Sequence, residues 1–475
     1  MSEKMLQFVS LPQGWPEKRG AAERARDFEE AYREYAAQKA VEQASRCSQC
    51  GVPFCQTHCP LHNNIPDWLR LVAEGRLKEA YELSAATNPF PEICGRICPQ
   101  DRLCEGACVL EQSGHGTVTI GAIEQYITET AWASGWVVGP RPAVERAESV
   151  GIVGAGPAGL AAADRLRRLG YRVAIYDRHD RPGGLLIYGI PNFKLEKRVV
   201  ARRTQLLAEA GVRFHLGFEV GRDATLAELR ARHEAVLLAT GVYQAQALQV
   251  PGVDLDHVVQ ALPYLIAANR RGLGDPGSAT EGLDAAGRRV VVIGGGDTAM
   301  DCVRTAIRQG AAAVTCLYRR DRANMPGSAR EVRHAEEEGV RFSWLTQPLA
   351  LLGDGHVRAV RAGRLRLGPR DASGRQAPVP LPGTDFELPA ELVILALGFH
   401  PEDLPERFRA PDLVVNPSGT VEVARRSRMT SLPGVFAAGD VVRGASLVVW
   451  AIRDGRDAAE AIHRYLQARA AEVAA

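Results

Sequence analysis

Two stretches of the chain share one pattern of apolar and polar positions. Each is an apolar run, a glycine-rich turn, an amphipathic stretch and a second apolar run. The first, "SVGIVGAGPAGLAAADRLRRLGYRVAIYDR", starts at Ser149, and the second, "RVVVIGGGDTAMDCVRTAIRQGAAAVTCLYRR", starts at Arg289. Short apolar runs bounded by glycine read as buried strands, and the spaced apolar positions between them read as helices on a sheet. The repeat predicts two nucleotide-binding α/β folds in tandem. Before residue 149 the pattern is mostly helical. "RARDFEEAYREYAAQKAVEQASR" is charged, alanine-rich and amphipathic, and predicts helix. "NNIPDWLRLVAEGRLKEAYELSAAT" predicts two helices, with Asn64 as N-cap, Pro66 in the first turn and Gly75 as the separator.

The expected division is a helical domain at 1–148, a first nucleotide-binding unit at 149–285, a second at 286–398, and a return to the first at 399–475. The Gly- and Asp-rich stretch 271–287 marks the boundary before the second unit. At 475 residues the chain is too long for one core, and its 46% hydrophobic and 24% charged residues are ordinary for a globular protein. Lys and Arg total 58 against 56 Asp and Glu, a net charge of +2 that gives no reason to expect nucleic acid or an anionic membrane as partner. No apolar run approaches the ~20 residues of a membrane span. The N-terminus lacks a secretory layout, so the expected location is the cytoplasm, where thiols stay reduced.

Reduced thiols change the reading of the cysteines. "RCSQCGVPFCQTHCP" holds Cys47, Cys50, Cys55 and Cys59; "CGRICPQDRLCEGAC" holds Cys94, Cys98, Cys104 and Cys108. Eight clustered cysteines in such a compartment point to a metal site rather than disulfides. Zinc and iron–sulfur both remain open. The mixed spacings, and the prolines directly after Cys59 and Cys98, favour iron–sulfur. The helical stretch between the two groups lets them meet in space. The other two cysteines, Cys302 and Cys316, read as buried small hydrophobes.

In the first unit Gly154, Gly156 and Gly159 form G-x-G-x-x-G, and Asp177 ends the second strand where an acid can bind a ribose. In the second unit Gly294, Gly296 and Ala299 take the corresponding positions, but Arg319 and Arg320 stand where the first has Asp177. Arginine there suits the 2′-phosphate of NADPH, which an acid would repel. FAD in the first unit and NADPH in the second is the economical assignment. "VLLATG", with Thr240 and Gly241, and "VILALGF", with Gly398, read as strands running into turns beside a nucleotide.

"GVFAAGD", with Gly439 and Asp440, is similar to the second FAD motif of two-dinucleotide flavoprotein reductases, in which the acid contacts the flavin's sugar-like chain. The helix starting near Ser446 would then aim its N-terminus at the flavin ring. Taken whole, the strings "CSQCGVPFCQTHCPLHNNIPDW", "TNPFPEICGRICPQDRLCEGAC", "GAGPAGL", "RPGGLLIYGIPNFKL", "GGGDTAMDC", "YRR" and "GVFAAGD" resemble the small (β) subunits of bacterial NADPH-dependent glutamate synthases. The N-terminal part is similar to the helical ferredoxin-like domain shared with dihydropyrimidine dehydrogenase.

The resemblance implies tandem Rossmann-like FAD and NADPH domains preceded by an α-helical iron–sulfur domain. It also implies FAD, NADPH and two 4Fe-4S clusters as cofactors, and no general base. Gly184, Leu185, Leu447 and Val448 are expected at the flavin, and Gly295, Asp297 and Thr298 at NADPH. The implied partner, in a hetero-oligomer, is a large (alpha) subunit with FMN and a glutaminase domain, which turns glutamine and 2-oxoglutarate into two glutamates. In the dihydropyrimidine dehydrogenase pattern the position of Cys94 is not a ligand, and a glutamine downstream replaces it; Glu124 matches that glutamine. The implied ligand sets are therefore Cys47, Cys50, Cys55 and Cys108, and Cys59, Cys98, Cys104 and Glu124. Two other readings stay open: the NADPH-oxidising subunit of a related complex (dihydropyrimidine dehydrogenase-like or ferredoxin–NADP oxidoreductase-like), and a zinc-stabilised binding module on a flavin fold.

Overall fold

The computed structural model describes residues 5–275, 283–371, 374 and 376–474. The helical region packs Ala37–Ser45, Ile65–Ala73, Leu77–Thr87, Pro91–Ile97 and Ile120–Ala133 around Trp68, Leu69, Ile123 and Ile127. Asn64 stands at the N-cap of Ile65–Ala73, but its side chain makes no cap bond and accepts from Gln56 Nε2 at 2.9 Å instead. Gly75 separates the two helices with φ 75°. Helices Pro91–Ile97 and Ile120–Ala133 cross closely, since a Cβ on Gly95 would lie 2.9 Å from Gly121 O. That crossing brings Cys94 and Glu124 to the same side of the region.

The charged stretch 24–46 departs from expectation: it is helical at Arg24 and again over Ala37–Ser45, and residues 25–36 are extended or turn. Helix propensity loses here to long-range contacts. Glu30 takes Arg96 Nε at 2.7 Å, and Tyr32 Oη meets His334 Nε2 at 3.1 Å.

The first repeat folds as strand Ser149–Val153, helix Pro157–Arg168 and strand Arg172–Asp177. Its parallel sheet runs in the order Val435–Ala437, Ala235–Leu238, Ser149–Val153, Arg172–Asp177, Arg213–Leu216. The C-terminal part therefore returns to this sheet, and the long helix Val448–Ala474 packs on Pro157–Arg168. Leu61, Phe90 and Ile93 of the helical region join the same core.

The second repeat gives Arg289–Ile293, Asp297–Arg308 and Ala313–Tyr318 in a parallel sheet completed by Val258–Gln260, Leu392–Leu395 and Arg341–Trp344. Val258–Gln260 thus belongs to the second sheet although it precedes residue 286. The flanks of 271–287 join helix Ala261–Gly272 to strand Arg289–Ile293 within that unit, rather than dividing the two units; residues 276–282 of the stretch lie outside the described residues. An antiparallel sheet over Thr346–Asp354, His356–Arg370, Gln376–Pro380 and Phe386–Pro389 is inserted before the last strand of this unit. The alternation in "HVRAVRAGRLRLGPR" was its available signal. Cys302 and Cys316 are fully buried, as expected of small core residues.

Candidate functional site

The glycine turns separate what the fold requires from what only a ligand explains. Gly154 has φ 109°, and a Cβ there would lie 2.3 Å from Ala239 O. A Cβ on Gly159 would lie 2.0 Å from Gly154 O, which fixes the close packing of helix on strand. Gly156 differs: φ is −78° and a Cβ would meet nothing within 4 Å. The second unit repeats this division. Gly294 is held against Ala396 O (2.2 Å), Gly295 against the Tyr318 ring (2.2 Å), and Gly296 opens on space. Any residue would satisfy the chain at Gly156 and Gly296, so glycine there fits an approaching pyrophosphate.

We expect Gly156→Ala to keep its circular dichroism spectrum and lose most of its FAD. Gly154→Ala should instead fail to accumulate as folded protein, because the φ and the carbonyl contact both oppose a Cβ. Absorbance of the purified variants reads both outcomes.

Gly154, Gly156, Asp177, Gly184 and Leu185 line one cleft, which Thr240, Gly241, Asp440, Ser446, Leu447 and Val448 complete. Gly439 lies beside it, at the turn before Asp440, against Ala158. Gly398 is adjacent to the lining residue Phe399, and its carbonyl accepts from Gln246 N. Asp177 accepts from Ala155 N at 2.6 Å and from His179 N at 2.8 Å, which aims its carboxylate across the glycine turn. Burial pushes the Asp440 carboxyl up to about 6. Thr240 Oγ1 is buried with no hydrogen-bond partner, a polar atom that a cofactor would satisfy.

A second cleft lies between the helical region and the two nucleotide units. Asp297, Thr298 and Asp301 line it from the second unit, Leu447 and Val448 from the flavin side, and Cys98 from the helical region. Ala299 is buried behind Thr298. Arg319 is exposed at the end of strand Ala313–Tyr318; Arg320 is half-buried, and its Nε has no partner. Sequence reasoning missed the Lys194–Asp301 pair, with Nζ to Oδ1 at 2.8 Å, where the two clefts join. Burial pushes Asp301 up to about 6 and works against the Lys194 charge, but Asp301 and Glu331 outweigh it and hold that ammonium above its ordinary range. It also missed Lys197, which burial lowers to about 7 and which donates to Leu186 O (3.1 Å) and Ile190 O behind the flavin cleft. The string "IPNFKLEK" carried both lysines without marking a role.

All eight N-terminal cysteines are free thiols. They fall into two neighbourhoods. Cys47, Cys50, Cys55 and Cys108 act electrostatically on one another, and Cys47 and Cys55 lie in the helical core. Cys59, Cys94, Cys98, Cys104 and Glu124 form the other, and Cys59, Cys94 and Cys98 also touch the core of the flavin unit. Burial pushes Cys47 and Cys59 up to about 11 and Cys55 up to about 12. Metal ligation requires thiolate, so a bound centre would have to supply the opposing charge. Among the described residues no three Cys, His, Asp or Glu side chains form a single-ion metal site.

Cys94 lies close to Cys98 and helps push its thiol up. Glu124 is buried, accepts only long bonds of 3.4 Å from Ser84 and Asn88, and is pushed by burial up to about 8. Arg46 is a further residue that motif reading passed over. It is fully buried beside Cys47, donates to the carbonyls of Leu11, His115, Gly116 and Thr117, and has no carboxylate partner among the described residues. Its charge faces the first thiol group.

A family model described as pyridine nucleotide-disulphide oxidoreductase matches residues 148–455. Another, described as dihydropyrimidine dehydrogenase domain II, 4Fe-4S cluster, matches residues 24–136. Over 471 residues the chain is 63% identical to a glutamate synthase (NADPH) small chain of Azospirillum brasilense, covering 99% of this chain and 98% of that one. It is 46% identical over 473 residues to the glutamate synthase (NADPH) small chain of Escherichia coli, covering 98% and 100%. The solved structure of Mycobacterium tuberculosis FprA in complex with NADPH is similar in fold, with a TM-score of 0.59 and 22% identity over 69% of this chain and 86% of that one.

Proposed function

The chain belongs to the family of glutamate synthase (NADPH) small chains, and from that premise we propose how its parts divide the work. It is an NADPH-dependent oxidoreductase that passes electrons from NADPH through FAD to iron–sulfur centres. It pairs with the large (alpha) subunit, which carries FMN and a glutaminase domain and makes two L-glutamate from L-glutamine and 2-oxoglutarate. The observation that carries this reading is the 63% identity spanning both chains nearly end to end. The 4Fe-4S description of the N-terminal match favours iron–sulfur over zinc. Among the described residues no helix is long and apolar enough to cross a membrane.

In the assignment we propose, the helical region 1–148 holds two 4Fe-4S clusters, the part of 149–285 before Val258 holds FAD together with 399–475, and 286–398 hold NADPH together with Val258–Gln260 and Ala261–Gly272. When bound, a flavin takes two electrons as hydride and releases them singly, which links a two-electron donor to one-electron centres. The protein's part is to hold and orient the groups. Gly154, Gly156 and Asp177 take the adenosine diphosphate half of FAD, and Asp440 with Ser446–Val448 the flavin half. Gly294, Gly296, Arg319 and Arg320 take NADPH. Cys98 shares a cleft with Leu447 and Val448, so the Cys59 group stands nearer the flavin cleft and the Cys47 group beyond it. Clusters held by the two groups would supply one-electron carriers, with the Cys47 group farther from that cleft.

The purified chain, alone, is expected to oxidise NADPH with artificial electron acceptors and to form no glutamate from glutamine and 2-oxoglutarate. Glutamate should appear on adding the large subunit. Glutamate from the single chain would overturn the division of labour.

A further inference from the structure

The chain passes between the two nucleotide units at the antiparallel pair Gln244–Ala245 and Phe399–His400, and the units also touch directly through Arg270–Asp180, Arg181–Asp275 and Lys194–Asp301. The strand pair gives a hinge about which one unit can turn against the other. The non-helical N-terminal arm crosses this hinge. Arg24, 1% exposed, donates to Glu338 Oε1 at 2.7 Å and to Glu337 Oε2 at 2.5 Å on the second unit. Lys18 adds a pair to Glu337 at 2.6 Å, and Tyr32 Oη bonds His334.

The same arm grips the flavin unit and the helical region. Asn192 Nδ2 donates to Phe28 O at 2.9 Å, and the Phe28 and Phe193 rings lie 6.3 Å apart. Glu30 takes Arg96 and Gln125 of the helical region.

The anchor of the arm leads to the cleft. Glu338, with a fully buried carboxylate, also accepts two bonds from Arg304 and two from Arg308. Arg304 lines the cleft shared by the two units, donates to Glu331 at 2.6 Å, and lies 4.5 Å from the centre of the Phe193 ring of the flavin unit. Arg308 lies 4.0 Å from the same ring. One buried junction thus joins the arm, the flavin unit and the helix that opens the NADPH turn.

We propose that residues 14–36 are a strap that fixes the second nucleotide unit against the flavin unit, with Arg24 as its positioning residue, so that hydride transfer proceeds in one arrangement of the two units. The strap sets the distance between Asp297–Asp301 on one wall of the cleft and Leu447–Val448 on the other. Without Arg24, Glu338 keeps two arginines, so no buried charge is left unpaired and the second unit retains its own fold. What is lost is the arm's buried tie to the second unit, while Arg270–Asp180, Arg181–Asp275 and Lys194–Asp301 still join the two units.

The role rests on the assignment of FAD and NADPH to the two units, and the test separates the two. Arg24→Ala and Arg24→Lys are compared with the wild type as cofactor-loaded protein, by stopped-flow reduction of the flavin with NADPH. The expected result for alanine is a fall of about tenfold or more in the saturating rate, since small misplacements of reacting groups cost that much. FAD and iron contents and NADPH affinity should hold, and lysine should restore part of the rate. A rate within about twofold of wild type, in cofactor-replete Arg24→Ala, would overturn the strap.

Spin labels at exposed Ala231 on the flavin unit and Ala312 on the second unit give an independent readout. The wild type should show one distance with or without NADP+, and Arg24→Ala a broader distribution. Two distances in the wild type, or one that moves on adding NADP+, would contradict the inference. That measurement decides also if Arg24→Ala fails to fold. Wild type that cannot oxidise NADPH would count against the assignment itself, not against the strap.

Discussion

Replacing Arg319 and Arg320 together by alanine is expected to raise the KM for NADPH by about tenfold or more and to leave turnover with NADH nearly unchanged. A charge-assisted bond to a phosphate contributes roughly 1.5–3 kcal/mol. The two arginines stand at the end of the second unit's second strand, the position that Asp177 holds in the first. Arg319 is exposed and free to turn toward a ligand; Arg320 has a buried Nε that no protein atom satisfies. NADH lacks the 2′-phosphate, so it has nothing to lose. Steady-state kinetics with both dinucleotides is the measurement, and equal losses with both would sink the assignment.

On the two-cluster assignment we propose, Glu124→Ala is expected to lose one cluster, whereas Cys94→Ala should keep both. Four-iron clusters take four ligands each, and the second neighbourhood offers five donors: Cys59, Cys94, Cys98, Cys104 and Glu124. A buried carboxylate held only by two long neutral hydrogen bonds is costly without a cationic partner, and no ion pair to Glu124 is present among the described residues. Iron ligation would satisfy it. Cys94, by contrast, is a small buried residue that joins Phe90 and Ile93 in a shared core. A carboxylate in place of a thiolate also changes ligand softness and hence cluster potential. Iron content and EPR of the reduced variants report the result. If Cys94→Ala loses a cluster while Glu124→Ala keeps both with unchanged spectra, eight cysteines bind the two clusters.

The nucleotide units were legible because their signal is local. Strand, glycine turn and helix follow within thirty-odd residues, and Gly154, Gly159, Gly294 and Gly295 each answer to a neighbour a few residues away or on an adjacent strand. The thiols were legible by spacing, although their separation into two neighbourhoods depends on how the helices of this region pack. Residues 25–36 were misread because their composition is that of a helix, whereas their partners, Arg96, Gln125, Asn192 and His334 among them, lie far along the chain. Lys194 and Asp301 are 107 residues apart and carry no joint signal in one sequence. The place of Val258–Gln260 was hidden for the same reason: its partner strand, Leu392–Leu395, is the last strand of the second unit, more than a hundred residues on.

The central claim is that this chain carries electrons from NADPH through a flavin to iron–sulfur centres for a partner. Its most direct measurement is rapid mixing of NADPH, without oxygen, with the chain assembled on the large subunit. Flavin absorbance and low-temperature EPR are followed in wild type and in Gly156→Ala. In wild type the flavin bands should bleach first and reduced-cluster signals should follow, with glutamate formed once both substrates are present. In Gly156→Ala, lacking FAD in this chain, the clusters should stay oxidised and NADPH should not be consumed. Clusters reduced at the same rate in both proteins, or NADPH consumed by an iron-replete wild type with no cluster signal at any time, would contradict the account.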